Sequence, residues 1–310
     1  LATKQKRISL NQVSNLAAEI KSWYKQGNIV TRLILINVVV FLAFILINVI
    51  GKFSNTPLFF IERWFYGTSS LSDFIYRPWG MFTYMFLHSG FRHILFNMLF
   101  LYFFGRIFLT FLSSRKFLSI YLLGGIAGFL FYVACYNIFP YFQPQVGLPI
   151  VGASAAVMAI MAATVALAPN YEVRLFLIPF NIRIIWIGLF FFAQDLVALQ
   201  GSFNIGGSLA HIGGILFGYL AISQRQKGKD ITAWFELFLD KVFALFTRKP
   251  LKVKYSNPTP HRPKTDAEFN LEKKQRQIKI DAILDKIKQS GYDSLSKSEK
   301  DFLFNEGKKL

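Results

Sequence analysis

Six nearly uncharged stretches, each close to the length needed to cross a bilayer, constrain this chain more than any other feature. They run Leu33–Ile50, Ile94–Leu112, Phe117–Phe139, Val151–Ala168, Ile184–Leu199 and Ile205–Ser223. A hydrocarbon layer about 30 Å thick calls for about 20 apolar residues per helix. Inside lipid every backbone polar group must be satisfied within the protein, which leaves helices as the solution for segments of this length. The charges are segregated to match. Residues 1–32 carry six Lys/Arg against Glu19 and residues 222–310 carry twenty against twelve acids, while the 189 residues between hold nine basic and four acidic side chains. The chain is 53% hydrophobic and 17% charged, with 35 phenylalanines in 310 residues. Average soluble chains run about 45–50% apolar and about 25% charged. A soluble enzyme, a disordered chain and a disulfide scaffold are excluded, the last because Cys135 has no partner cysteine.

The net charge of +18 invites a nucleic-acid reading, but basic flanks beside apolar spans are how a membrane protein fixes its orientation. Arg106, Arg115 and Lys116 cluster around the second link, and Arg174 and Arg183 lie on the fourth, whereas Pro140–Ile150 and Gln200–Asn204 carry no charge. With residues 1–30 cytosolic, an even number of spans returns the C-terminal part to the same side. The long first link, about residues 51–92, holds Lys52, Arg63, Arg77 and Arg92 outside. The expected fold is all-α: a polytopic six-helix membrane bundle over residues 31–224, with a small cytosolic helical hairpin. No cleavable leader or organelle presequence is evident, so a bacterial inner membrane is the expected home.

Beyond the last span, residues 225–249 contain Asp230–Phe246, an amphipathic helix expected to lie in the inner interface. Its Glu236 and Asp240, four apart, share a polar face beside Lys241. Pro250, Pro258, Pro260 and Pro263 mark a basic linker over 250–265, with an incidental His261. Residues 266–310 then show helical spacing at Ile280, Ile283, Leu284 and Ile287, a break at Ser290-Gly291, and a capping box at Ser296-x-x-Glu299. The basic tail could engage anionic lipid or a cytosolic partner.

Polar residues inside spans are costly and are functional candidates. Span two opens with His88, His93 and Asn97, span four with Gly152-Ala-Ser154, and span six contains His211, Gly214 and Gly218. Spans two, four and six run in the same direction, so these groups lie at similar depth near the outer face. Small residues on span four and Gly214-x-x-x-Gly218 on span six permit close approach, which could bring Ser154 within reach of His211. A serine hydroxyl needs a base to become nucleophilic, and neutral imidazole suits that task. Asn97, His93 and the Ser154 backbone N–H could serve a developing oxyanion. His88 reads as a structural hydrogen-bonder and Asp195, near the outer end of span five, as solvated. His88, His93 and His211 lack the carboxylate or cysteine that usually completes a metal site, and no cofactor is expected.

His88-x4-His93-x3-Asn97, Gly152-Ala-Ser154 and Ala210-His211-x-x-Gly214 resemble the three signature blocks of rhomboid intramembrane serine proteases. Trp79 ahead of Phe82-Thr83-Tyr84 and the Gly105-Arg106 end of span two fit as well, and the resemblance covers about residues 30–224. It implies a Ser154–His211 dyad with no third catalytic acid, and an oxyanion hole lined by His93, Asn97 and Ser154. The sequence departs from the family's usual pattern at Ala155, Met158, Gly80 and Leu109; Met158 stands where an aromatic residue often supports the histidine. The implied substrate is another protein's transmembrane segment. It would enter past span five, with Phe190, Phe191 and Phe192 as a gate, beneath a roof formed by Asn137–Val151. The competing classes are a client-binding relative without proteolysis and a transporter, the latter disfavoured because no inverted repeat is evident.

Overall fold

All six apolar stretches are helical in the computed structural model, which describes residues 27–56, 58–174, 179–201, 204–246 and 265–307. Most of the expected N-terminal segment and the 250–264 part of the linker, His261 included, lie outside the described residues. The chain divides into two units, Leu1–Arg248 and Lys249–Leu310. The first begins with α1 (Ile29–Phe53), followed in the long first link by α2 (Phe59–Arg63), strand β1 (Gly67–Thr68), α3 (Leu71–Tyr76) and α4 (Gly80–Thr83). Then come α5 (Phe91–Phe111), α6 (Ser114–Ile138), strand β2 (Pro149–Ile150), α7 (Ser154–Leu167), strands β3 (Glu172–Arg174) and β4 (Asn181–Arg183), α8 (Ile184–Ala198), α9 (Ile205–Gln226) and α10 (Ala233–Phe246). Helices α1, α5, α6 and α9 are long and apolar enough to cross a membrane, while α7 and α8 are apolar but shorter. The protein is a polytopic membrane protein.

Two features correct the all-helical expectation. Strands β1 and β2 pair antiparallel, Gly67 opposite Ile150, and β3 pairs with β4, Val173 opposite Ile182. Both form where links fold back against protein and the backbone needs partners that no helix supplies. The first pair also delays α7. Its start was expected at Val151, but Pro149–Ile150 is held as strand and Gly152 takes φ +130°, so the helix begins at Ser154.

Helix α7 is the axis of the bundle. Ala155, Ala156, Ala159, Ile160 and Ala163 are almost wholly buried. A Cβ on Gly214 would collide with the Ala155 carbonyl, and one on Gly218 with the Ala159 carbonyl, so α9 lies backbone to backbone on α7. Gly124 of α6 lies against the Ala159 methyl group, again with no room for a Cβ. Small residues thus set the separation, as interhelical packing in lipid favours. Helices α1 and α8 are peripheral. Of the fifteen residues of α8, only Ile184 and Asp195 are buried.

Side-chain contacts establish that α5, α7 and α9 run in parallel. Phe111 at the end of α5 meets Tyr171 just beyond α7, and Gln226 at the end of α9 donates to the Ala166 carbonyl of α7 at 3.1 Å. At the opposite end the first link is well ordered. The Trp79 indole N–H donates to Trp64 O at 2.7 Å and the two rings stack, Thr83 Oγ1 donates to Phe65 O at 2.7 Å, and Asn137 Nδ2 donates to Ser69 O at 2.9 Å.

The end bearing Arg115 and Lys116 carries an ion network. Lys116, whose side chain is only 5% exposed, donates to Asp230 Oδ1 and Oδ2 at 2.7 and 2.6 Å and to Thr232 Oγ1 at 2.9 Å, and it also pairs with Glu236. Arg115 pairs with Asp240 at 2.9 Å. Glu236 and Asp240 therefore dock α10 onto the base of α6, while Trp234, Leu237, Phe238 and Leu245 stay exposed along it. That division suits a helix lying flat on a membrane surface.

In the second unit α11 (Asp266–Ser290) and α12 (Lys297–Gly307) form the expected hairpin. The Ser296–Glu299 capping box is formed in both directions, at 2.7 and 3.3 Å. A second box, Thr265–Glu268, opens α11 and had not been expected. Lys286 pairs with Glu299 across the turn at 3.1 Å.

The ion network generates a pH prediction. Burial raises the Asp230 pKa, but hydrogen bonds from the Lys116 ammonium and from Thr232 outweigh it and bring it down to about 2. A carboxylate depressed on folding adds stability above its unfolded pKa of about 4, and loses it as pH falls through the folded value. Thermal unfolding in detergent should therefore separate wild type from Asp230→Asn at pH 5, and the two should converge as pH falls from about 4 to about 2.

Candidate active site

Ser154 and His211, 57 positions apart in sequence, meet because α7 and α9 approach backbone to backbone. Ser154 is the first residue of α7, and its Oγ lies 2.7 Å from His211 Nε2. His211 is the seventh residue of α9, so at about 1.5 Å per residue it sits roughly 9 Å below the start of its helix. The hydroxyl and imidazole are thus joined within the bundle, below the end at which α9 begins.

Asp195 corrects the expectation that it is solvated. It is 7% exposed, and its Oδ1 lies 2.8 Å from His211 Nδ1. The face of α8 turned toward α9 carries it inward. The signal was present in the sequence, since a carboxylate within an apolar span is a functional candidate by default. Its place near the span's end had argued the other way.

His93 is oriented through its other nitrogen. The Ser89 backbone N–H donates to His93 Nδ1 at 3.4 Å and the Ser89 hydroxyl lies 3.1 Å from the same atom. A backbone N–H can only donate, so Nδ1 is the acceptor and the neutral ring carries its proton on Nε2. A Cβ at Gly152 would lie 2.8 Å from that Nε2 and 3.5 Å from Ser154 Oγ. Glycine there leaves open the space between imidazole and hydroxyl. Asn97 is buried one turn along α5, and its Nδ2 donates to His93 O at 2.9 Å, leaving the second amide hydrogen free to act. The Ser154 N–H falls in the first helical turn, where no intrahelical acceptor exists.

Two cavities open onto these groups. One of about 610 Å³ is lined by Ser154, His211, His93, Gly152 and the Leu148–Val151 segment; the other, about 310 Å³, is lined by His93, Asn97, Ser154, Met158 and Phe100. Ser154 and His93 face both. Among the described residues no group of three or more His, Cys, Asp or Glu side chains is arranged to hold a metal ion.

Four other expected residues behave differently from one another. His88 is buried with its ring edge-on to His93, centroids 5.1 Å apart. It packs against His93 and so helps to hold that ring in place. Phe191 meets Phe100 of α5 edge-on at 4.8 Å, whereas Phe190 is 64% exposed and Phe192 half-buried. The three rings are therefore not equivalent: Phe191 contacts α5, and elsewhere along the seam between α8 and α5 Phe103 and Ile107 pack with Ile184 and Ile187.

These features define a class: a membrane-embedded helical bundle that joins a serine hydroxyl to a half-buried, hydrogen-bonded imidazole. Residues 76–224 match the Rhomboid domain. Residues 264–306, which contain most of the α11–α12 hairpin, match a family of unknown function (DUF6576). Among curated proteins, RHOMBOID-like protein 12, mitochondrial, from Arabidopsis thaliana is 32% identical over 158 residues, covering 47% of this chain and 46% of that protein. The alignment thus spans about half of the relative's length.

Gly152 supports both φ +130° and the open space beside His93. Gly152→Ala should destabilise the fold by more than about 1 kcal/mol, since alanine is strained at positive φ. Adding His93→Ala should recover only the part due to the ring collision, which a double-mutant cycle of thermal unfolding would resolve.

Proposed function

We propose that this protein is an intramembrane serine endopeptidase that hydrolyses peptide bonds in or near transmembrane segments of other membrane proteins. The observation that carries the proposal is the 2.7 Å hydrogen bond between Ser154 Oγ and His211 Nε2 at the floor of an accessible cavity. Ser154 Oγ attacks the scissile carbonyl carbon as His211 Nε2 takes its proton. The resulting oxyanion is received by His93 Nε2–H, the free Asn97 amide hydrogen and the Ser154 N–H, a donor set already oriented before substrate arrives. Collapse of the intermediate expels the amine, which takes its proton from His211, and water then hydrolyses the acyl-enzyme by the same route.

Supporting features surround this chemistry. In the present reading all six apolar helices cross the bilayer, the short α7 being shielded by its neighbours, which lets Ser154 lie below the outer surface while water reaches it through the cavity. Strand β2 pairs only with β1 among the described residues. Its other edge offers backbone groups to an extended substrate, the β-augmentation mode of peptide recognition. The cluster of Arg115, Lys116 and Arg225 supports a cytoplasmic inner end. A bacterial inner membrane remains the proposed home; the Arabidopsis relative is by its name mitochondrial. The exposed apolar side of α10 is proposed to rest on lipid.

The test is reconstitution of purified protein with a labelled single-span substrate. Wild type should cleave it, insensitive to chelators, whereas Ser154→Ala and His211→Ala should not. Cleavage persisting in Ser154→Ala would remove that residue as the nucleophile. For lateral entry, an edge-to-face phenyl pair contributes about 0.5–1.5 kcal/mol. Phe191→Ala should therefore speed cleavage of a transmembrane substrate roughly two- to tenfold, with little change for a short soluble peptide. Equal effects on both substrates would count against gating at this seam.

A further inference from the structure

We propose that Asp195 is a positioning residue for His211, so that the reaction runs on a Ser154–His211–Asp195 triad, with its acid supplied by the peripheral helix α8. The inference rests on the serine protease reading and deepens it.

Three observations converge on Asp195. Its Oδ1 lies 2.8 Å from His211 Nδ1 while His211 Nε2 lies 2.7 Å from Ser154 Oγ, so one imidazole joins both groups through opposite nitrogens. The carboxylate is buried, and its Oδ2 has no hydrogen-bond partner. Nor is Asp195 needed to fill space, because most of α8 is exposed. A buried carboxylate with a single hydrogen bond is costly unless that bond serves a charge. The imidazolium formed during attack is such a charge.

The carboxylate acts at two moments. Before reaction, an ionised Asp195 can only accept, so Nδ1 must carry the neutral ring's proton and the Nε2 lone pair faces Ser154. During attack the Ser154 proton passes to Nε2, and the doubly protonated ring is held between Asp195 and the developing intermediate. The Nε2 proton then leaves with the amine, and the Nδ1 proton never moves. The same logic assigns the orienting acid of soluble serine proteases a tautomer-setting role. Asparagine at 195 can instead donate to Nδ1 and place the ring proton on Nε2, facing the serine, where it blocks base catalysis.

The experiment compares wild type, Ser154→Ala, Asp195→Asn, Asp195→Ala and Asp195→Glu in cleavage of a reconstituted single-span substrate. It also determines the His211 tautomer in wild type by 15N NMR of histidine-labelled protein at neutral pH. Asp195→Asn and Asp195→Ala should lower kcat on the order of 10²–10⁴-fold with KM nearly unchanged, and Asp195→Glu should recover part of the loss. Wild-type His211 should be protonated on Nδ1. Wild type and Asp195→Asn within threefold of each other, with Ser154→Ala inactive, would overturn the triad and leave the protease reading standing. An Nε2-protonated His211 in wild type would overturn it with no variant required. Cleavage that persists in Ser154→Ala would instead bring down the protease reading itself.

Discussion

The close approach of α7 and α9 is the constraint on which the rest of this structure depends. Gly214 and Gly218 lie against the carbonyls of Ala155 and Ala159, with no room for a side chain between them. In lipid, apolar side chains gain little by leaving the solvent, so helix association relies on packing and on interhelical hydrogen bonds. Contact at backbone distance supplies the first. It also allows the second, because only helices this close bring a serine hydroxyl and an imidazole to 2.7 Å. Packing and chemistry therefore share one interface.

The polar groups along that interface would each be costly alone. They are tolerated because nearly every one has its partner: Ser154 and Asp195 with His211, His93 with Ser89, Asn97 with the His93 carbonyl. The ordered first link assists by packing against the end of the bundle nearest Ser154, where Tyr84 O accepts the Gly152 N–H at 2.9 Å and Asn137 holds Ser69. At the other end, Lys116 gathers Asp230, Thr232 and Glu236 and so fixes α10 to the base of α6. Each end of the bundle is closed by polar contacts, and the middle by small residues and aromatic rings.

Much of this was legible in the sequence. The six helices follow from hydropathy, the parallel run of α5, α7 and α9 from alternation, and the candidate groups from polar residues placed in apolar spans. The Ser296–Glu299 box and the turn at Gly291 followed from capping chemistry. The short strands were not legible, since two-residue pairings depend on which links happen to lie side by side. The late start of α7 was hidden for the same reason: Val151 belongs to an apolar run, and only the β1–β2 pairing holds it out of the helix.

Asp195 shows where sequence reasoning stops. It was recognised as polar in an unusual place, but its role depends on the direction in which a helix is rotated, and a nearly uniform apolar helix such as α8 encodes no rotation in its own pattern. By itself the sequence determined how many apolar helices form, their alternation, and which side chains carry chemistry, because burial of backbone in lipid and the spacing of small and polar residues are local properties. Only the tertiary structure decided that the imidazole of His211 has a carboxylate on one nitrogen and a hydroxyl on the other. That outcome follows from α8 packing against α9, a contact between helices that no local pattern specifies.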